Sequence, residues 1–106
     1  MTTDRRLQQA RKREALFLKG PILFGWIKRN IPDPASRLLL VAEAFMKMQK
    51  PASDALELRE QVWDCAGIRG KDRRSRVLAK IDRDVCDYRV ERKVGRVATL
   101  RRVKGV

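Results

Sequence analysis

Residues 58–80 read LREQVWDCAGIRGKDRRSRVLAK, a stretch that predicts two helices joined by a tight turn. In the first helix, Val62, Trp63 and Ala66 lie three and four residues apart, which places them on one apolar face. Gly67 follows this face, at the position where a left-handed C-cap forms most easily. The spacing therefore predicts that the first helix ends at this glycine.

The second predicted helix opens after Gly70. Its apolar positions again recur at helical spacing: Val77, Leu78, Ile81 and Val85. The remaining surface is basic: Lys71, Arg73, Arg74, Arg76, Lys80 and Arg83. A short helix ending in Ala-Gly-Ile, followed by an arginine-rich helix, is typical of a helix-turn-helix whose second helix reads DNA. The simpler alternative is a solvated basic helix packed on a small core.

Composition bounds the class of protein. The chain has 106 residues, one domain of ordinary size, and 43% of them are hydrophobic, enough for a packed core. The net charge is +13, from 26 basic and 13 acidic residues. Because such an excess repels itself, the usual reason for it is a polyanionic partner: DNA, RNA or an anionic membrane surface. No apolar run is long enough to span a bilayer, and the first residues lack a signal peptide, so we expect a cytoplasmic protein.

The residue types needed for most catalytic and metal sites are scarce. The chain has no histidine, and its two cysteines, Cys65 and Cys86, form no CxxC pair, so neither a zinc site nor a cofactor is expected. Asp82, Asp84 and Asp87 lie close together, but they alternate with basic residues and are interpreted as charges at a helix end. Because there is also no glycine-rich phosphate loop, we do not expect an enzyme.

The front of the chain divides into an arm and an apolar segment. Residues 1–16 suit a basic N-terminal arm or helix, which either tracks phosphates or is a soluble tail. Residues 17–30 are rich in apolar and aromatic side chains, with Gly20-Pro21 as a helix start. Their aromatic residues could stack on bases, but a place in the core is favoured.

Two further elements lead to the helix pair. Asp33 occupies an N-cap position before Pro34, which predicts a long, largely apolar helix over residues 34–49. Residues 51–58 contain an alternation in polarity over Ala55–Leu58, which fits a short strand, although a helix capped at Ser53 or Asp54 fits the same residues.

In the last segment, apolar and β-forming residues recur at every second position, as in a β-strand. Tyr88 and Val90 and, across Gly95, Val97, Thr99 and Arg101 alternate with more polar residues, which predicts a β-hairpin. Its predicted tip is basic, with Arg92, Lys93 and Arg96. A hairpin directly after a basic second helix is the wing of a winged helix; the alternative is an ordinary edge hairpin.

The chain resembles small bacterial winged helix-turn-helix proteins, often carried on mobile elements and related in pattern to plasmid replication initiators. The resemblance covers residues 17–103, through the following parts: Phe17 with Lys19-Gly20-Pro21-Ile22 and Trp26, the helix from Ala35 to Phe45, Ala66-Gly67-Ile68, Arg76 with Leu78 and Ile81, Val90-Glu91-Arg92, Gly95-Arg96 and Thr99-Leu100. One departure is that residues 81–86 contain no glycine where such proteins have a Leu-Glu followed by an Ala-Gly-Leu step. The resemblance implies DNA binding but no particular target.

These observations predict an α+β winged helix-turn-helix over residues 17–106, mostly helical with a C-terminal hairpin. The expected function is sequence-specific binding of double-stranded DNA, by a transcriptional regulator or a mobile-element accessory factor, with a homodimer as a candidate assembly. The expected DNA contacts are Arg69, Lys71, Arg73, Arg74, Arg76, Lys80, Arg92, Lys93 and Arg96. The alternatives are an RNA-binding protein and a protein-interaction module, such as an antiactivator or a replication accessory factor, on the same fold.

Overall fold

The computed structural model describes residues 20–48, 54–84, 87–92 and 97–103 of the chain. In these ranges the fold is α+β, mostly helical, with one small antiparallel sheet. The helices are α1 (Gly20–Asn30), α2 (Pro34–Met48), α3 (Glu60–Ala66) and α4 (Lys71–Asp84). The strands are β1 (Ala55–Leu58), β2 (Tyr88–Arg92) and β3 (Ala98–Arg102). The predicted basic arm, residues 1–16, lies outside the described residues.

Helix α2 is the centre of the fold. Its residues Leu38, Leu39, Val41 and Ala42 are completely buried, as expected for a helix that is apolar around most of its circumference. The predicted N-cap is confirmed, because the Oδ2 atom of Asp33 accepts hydrogen bonds from the backbone N–H and the hydroxyl of Ser36, at 3.2 and 2.7 Å.

The turn between α3 and α4 is closed by a glycine, as the sequence predicts. Gly67 has φ 69° and ψ 33°, and its N–H donates to the carbonyl of Asp64. The N–H of Ile68 donates to the carbonyl of Trp63, so the last turn of α3 is capped by backbone groups. Ile68 is buried, which anchors the turn in the core.

The sheet joins the segment before α3 to the hairpin after α4. Its strand order is β1-β3-β2, and both pairings are antiparallel. Residues 55–58 are therefore a strand, which resolves the ambiguity of that segment. Because β3 lies in the centre, it binds the hairpin to the part of the chain that precedes the helix pair.

The predicted register of the hairpin is wrong by one residue. Val90 pairs with Leu100, and Leu100 also pairs with Leu56, so these three share the apolar face. Thr99 and Arg101 belong to the opposite face. The predicted faces of β3 assume a certain length for the turn between the two strands, and the sequence does not determine that length. A difference of one residue in the turn moves every side chain of β3 to the other face of the sheet.

Replacing Gly67 by alanine tests the turn. We expect a loss of about 1–2 kcal/mol in the free energy of unfolding, because an L-residue in the left-handed region clashes with its own carbonyl. The added Cβ would also meet the stem of Lys28 at 3.5 Å. Urea denaturation measures the change.

The matched control is Gly25→Ala in α1, where φ is not positive and the nearest atom is the flexible end of Arg29 at 3.3 Å. There we expect no loss, or a gain of up to about 1 kcal/mol from helix propensity. Equal losses in the two variants would contradict the proposed role of the cap.

Candidate nucleic-acid interface

Helix α4 has a buried side and an exposed side. Val77 and Ile81 are buried and Leu78 is half-buried, which confirms the predicted apolar face for these three residues. Val85, the fourth residue predicted on this face, lies outside the described residues. Asp82 is also exposed and accepts a hydrogen bond from β2. The other exposed residues beyond the first residue of the helix, called the α4 surface below, are Asp72, Arg73, Ser75, Arg76, Ala79 and Arg83. Arg69 and Lys71, at the entrance to the helix, are exposed as well. Four of the nine predicted contacts, Arg69, Lys71, Arg73 and Arg76, thus lie on or next to one helix surface.

Arg74 has a structural role instead. Its Nη1 and Nη2 atoms donate to the two carboxylate oxygens of Glu60 at 2.6 and 2.7 Å. Its guanidinium also lies over the ring of Trp63, 5.3 Å from the centroid. The hydrogen bonds to Arg74 lower the pKa of Glu60, and those to Glu60 raise the pKa of Arg74. Both Nη atoms of Arg74 are therefore engaged by Glu60, which sets this residue apart from the cations without a partner. The DNA contact expected of Arg74 stays a prediction.

Lys80 is also engaged inside the protein. Its Nζ donates to the Oδ1 atom of Asp33 at 2.7 Å, and the Asp33 side chain is only 8% exposed. Burial by itself raises the pKa of Asp33, but the hydrogen bonds from Lys80 and Ser36 and the charge of Lys80 together outweigh it and lower this pKa. The ammonium of Lys80 thus links α4 to the start of α2. The DNA contact expected of Lys80 stays a prediction.

Arg37 supports the helix pair, a role that is not among those predicted from the sequence. From α2, its Nε donates to the carbonyl of Ala66 at 2.8 Å, and its Nη1 donates to the carbonyls of Ile31 and Pro32. One side chain therefore caps the end of α3 and holds the loop before α2. A signal was present in the sequence, because Arg37 is the one charged residue in the run Ala35–Ala42.

Polar contacts attach the described part of the hairpin to the helices. The backbone N–H of Val90 donates to the carboxylate of Asp82 at 3.3 Å, which ties β2 to α4. The hydroxyl of Tyr88 donates to Glu43 of α2 at 3.1 Å. Asp82, interpreted from the sequence as a helix-end charge, thus positions the first strand of the hairpin.

Of the three predicted contacts in the hairpin, one falls in the described part of the chain. Arg92 is exposed and is the last residue of β2. Lys93 and Arg96 lie outside the described residues, as does the predicted tip of the hairpin. The contacts expected from these two residues stay predictions.

Phe24 and Trp26 of the front segment pack against the core, whereas Phe17 lies outside the described residues. Phe24 stacks on Phe45 with ring centroids 5.3 Å apart and an interplanar angle of 9°. Trp26 is half-buried against the same core. This confirms the core interpretation for these residues and leaves the charged α4 surface as the candidate site.

The Asp33–Lys80 pair predicts a pH-dependent effect of Lys80→Met. This variant keeps the packing of the lysine stem and removes its ammonium. At neutral pH we expect the free energy of unfolding to fall by about 1.5–3 kcal/mol, the range for a hydrogen bond to a charged group. Urea denaturation at several pH values is the measurement.

The sign of the pH dependence follows from the lowered pKa of Asp33. The carboxylate stabilises the native state above its unfolded-state pKa, about 3.9, and this contribution is lost as the pH falls through the native pKa. The difference between wild type and Lys80→Met should therefore be constant near neutrality and shrink below about pH 4. A difference that is the same at pH 7 and pH 3 would argue against the pair.

Two further findings concern membrane-spanning helices and similarity to known proteins. Within the described ranges, none of the helices has the length and apolar character needed to cross a bilayer. Comparisons with protein-family models, with curated protein sequences and with solved structures returned no match to this chain.

Proposed function

We propose that this chain is a sequence-specific double-stranded DNA-binding protein with a winged helix-turn-helix fold, acting as a transcriptional regulator or a mobile-element accessory factor in the cytoplasm. Helix α4 would enter the major groove, and the β2–β3 hairpin would be the wing. The sheet order β1-β3-β2 supports this proposal, because it attaches the hairpin beside the helix pair. Binding as a homodimer on a two-fold site belongs to the same proposal.

The observation that carries the proposal is the set of unpaired cations on and beside the α4 surface: Arg69, Lys71, Arg73, Arg76 and Arg83. All five are exposed, and none forms an ion pair with a residue that the structure describes. Cations held in this way repel one another until an anion neutralises them. A DNA backbone supplies such charges at regular spacing along a groove that accepts an α-helix.

The expected salt dependence is steep. If Arg69, Lys71 and Arg83 neutralise phosphates while Arg73 and Arg76 contact bases, the logarithm of the binding constant falls with the logarithm of salt concentration with a slope of about −2.7. Between 50 and 200 mM salt this slope corresponds to a loss of about 40-fold in affinity. The charge of the α4 surface alone can therefore supply much of the affinity.

The use of a helix, α4, to contact base edges favours double-stranded DNA over double-stranded RNA as the ligand. The major groove of A-form RNA is too deep and narrow for side chains on a helix to reach the bases, whereas that of B-DNA is about 12 Å wide. Proteins that read single-stranded RNA use exposed aromatic residues, and here Phe24, Trp26 and Phe45 pack against the core.

The direct test is the double substitution Arg73→Ala with Arg76→Ala. On a duplex selected from a random pool, we expect about a hundredfold loss of affinity, because each good arginine–guanine contact is worth about 1–3 kcal/mol. Fluorescence anisotropy of the labelled duplex measures the affinity, and circular dichroism verifies that the fold is retained.

The matched control removes the same charge from elements outside the candidate surface, by Arg29→Ala in α1 with Lys47→Ala at the end of α2. Both residues are exposed, and we expect a loss of only a few-fold. Equal losses in the two double variants would show unspecific attraction by net charge. Unchanged binding by the α4 variant, or binding of single-stranded RNA alone, would contradict the proposal.

A further inference from the structure

An acidic residue lies among the cations of the α4 surface. Asp72 is exposed, and its carboxylate makes no hydrogen bond or ion pair with any residue in the described ranges. Two roles are open to such a residue: a cap of the helix or an acceptor for the amino group of cytosine. Capping by the side chain is not observed, because no backbone N–H of α4 donates to it in the described structure. Arg76, four residues on, does not pair with it either.

Asp72 lies at the N-terminal end of this surface, in line with its basic residues. Asp72, Arg76, Ala79 and Arg83 follow one another at steps of four, three and four residues, so they form one line along the exposed side of α4. Ala79 within this line and Ser75 beside it have short side chains. Short side chains let the helix backbone approach the floor of a groove.

The distance along the helix matches the spacing of base pairs. Four residues at about 1.5 Å each separate Asp72 from Arg76 by about 6 Å along the axis. Base pairs are stacked about 3.4 Å apart. Two such side chains on a helix in the major groove would therefore meet bases within one or two steps of each other.

The negative charge of Asp72 would make binding depend on the DNA sequence. A carboxylate near phosphates weakens binding to every sequence, since like charges repel. The loss is offset where the carboxylate accepts a hydrogen bond from a base, and in the major groove the cytosine amino group is the donor that suits it. Adenine also has an amino donor, but its neighbouring N7 is an acceptor that repels the carboxylate.

We propose that Asp72 is a specificity-determining residue that selects a cytosine in the major groove, within one or two base pairs of a guanine bound by Arg76. This inference rests on the proposed function. In this proposal Asp72 determines which DNA sequences are preferred and does not increase the affinity for DNA in general. The carboxylate rejects duplexes that lack the cytosine amino group, while the cations around it hold any duplex.

The test compares wild type with Asp72→Asn, which removes the charge and keeps the shape of the side chain. Duplexes are first selected from a random pool with the wild-type protein, and each base pair of the selected site is then replaced in turn. We expect the variant to bind random-sequence duplex several-fold more tightly than wild type. At one C·G position, we expect its preference for cytosine to fall by about tenfold or more.

The control is Asp64→Asn, which makes the same change of charge at an exposed position of α3 outside the α4 surface. It should leave the preference at every position unchanged. If Asp72→Asn and Asp64→Asn raise affinity equally on all duplexes, with preferences intact, the inference is overturned while DNA binding stands. A wild-type protein that binds no duplex overturns the proposed function and this inference together.

Discussion

The carboxylate of Asp33 is the constraint on which the arrangement of the candidate site depends. With one oxygen it caps α2 through Ser36, and with the other it accepts from Lys80 of α4. A single buried group thus joins the start of the central helix to the helix that carries the exposed cations. Apolar packing of Val77 and Ile81 holds α4 against the core, but it is not directional. The hydrogen bond to Lys80 is directional, and it helps to determine which side of α4 faces outward.

The basic residues of this chain fall into two groups that composition cannot distinguish. Arg37, Arg74 and Lys80 point inward, where they bind carbonyls and carboxylates and hold the helix pair together. Arg69, Arg73 and Arg76 point outward and bind nothing in the described structure. A net charge of +13 indicates a polyanionic partner, but only the geometry separates the cations that support the site from those available to a ligand.

Local signals in the sequence were sufficient for the helices. Asp33 before Pro34 and Gly67 after an apolar face each define a helix end through chemistry confined to a few residues. The hairpin register was not predictable in this way, because it depends on the pairing of Val90 with Leu100 across a turn and on β1 as a third strand. The roles of Arg74 and Lys80 were missed for the same reason, since their partners Glu60 and Asp33 lie 14 and 47 residues away.

The central claim is that the outward side of α4, and not the net charge, is the surface that meets DNA. The most direct measurement is a titration of the isotopically labelled protein with a selected duplex, followed by the chemical shifts of backbone amides. The account predicts that shifts change most from Arg69 to Arg83 and at Arg92, and little in α1 and in the buried part of α2. Changes spread evenly over all basic surfaces, or concentrated in α1, would contradict it.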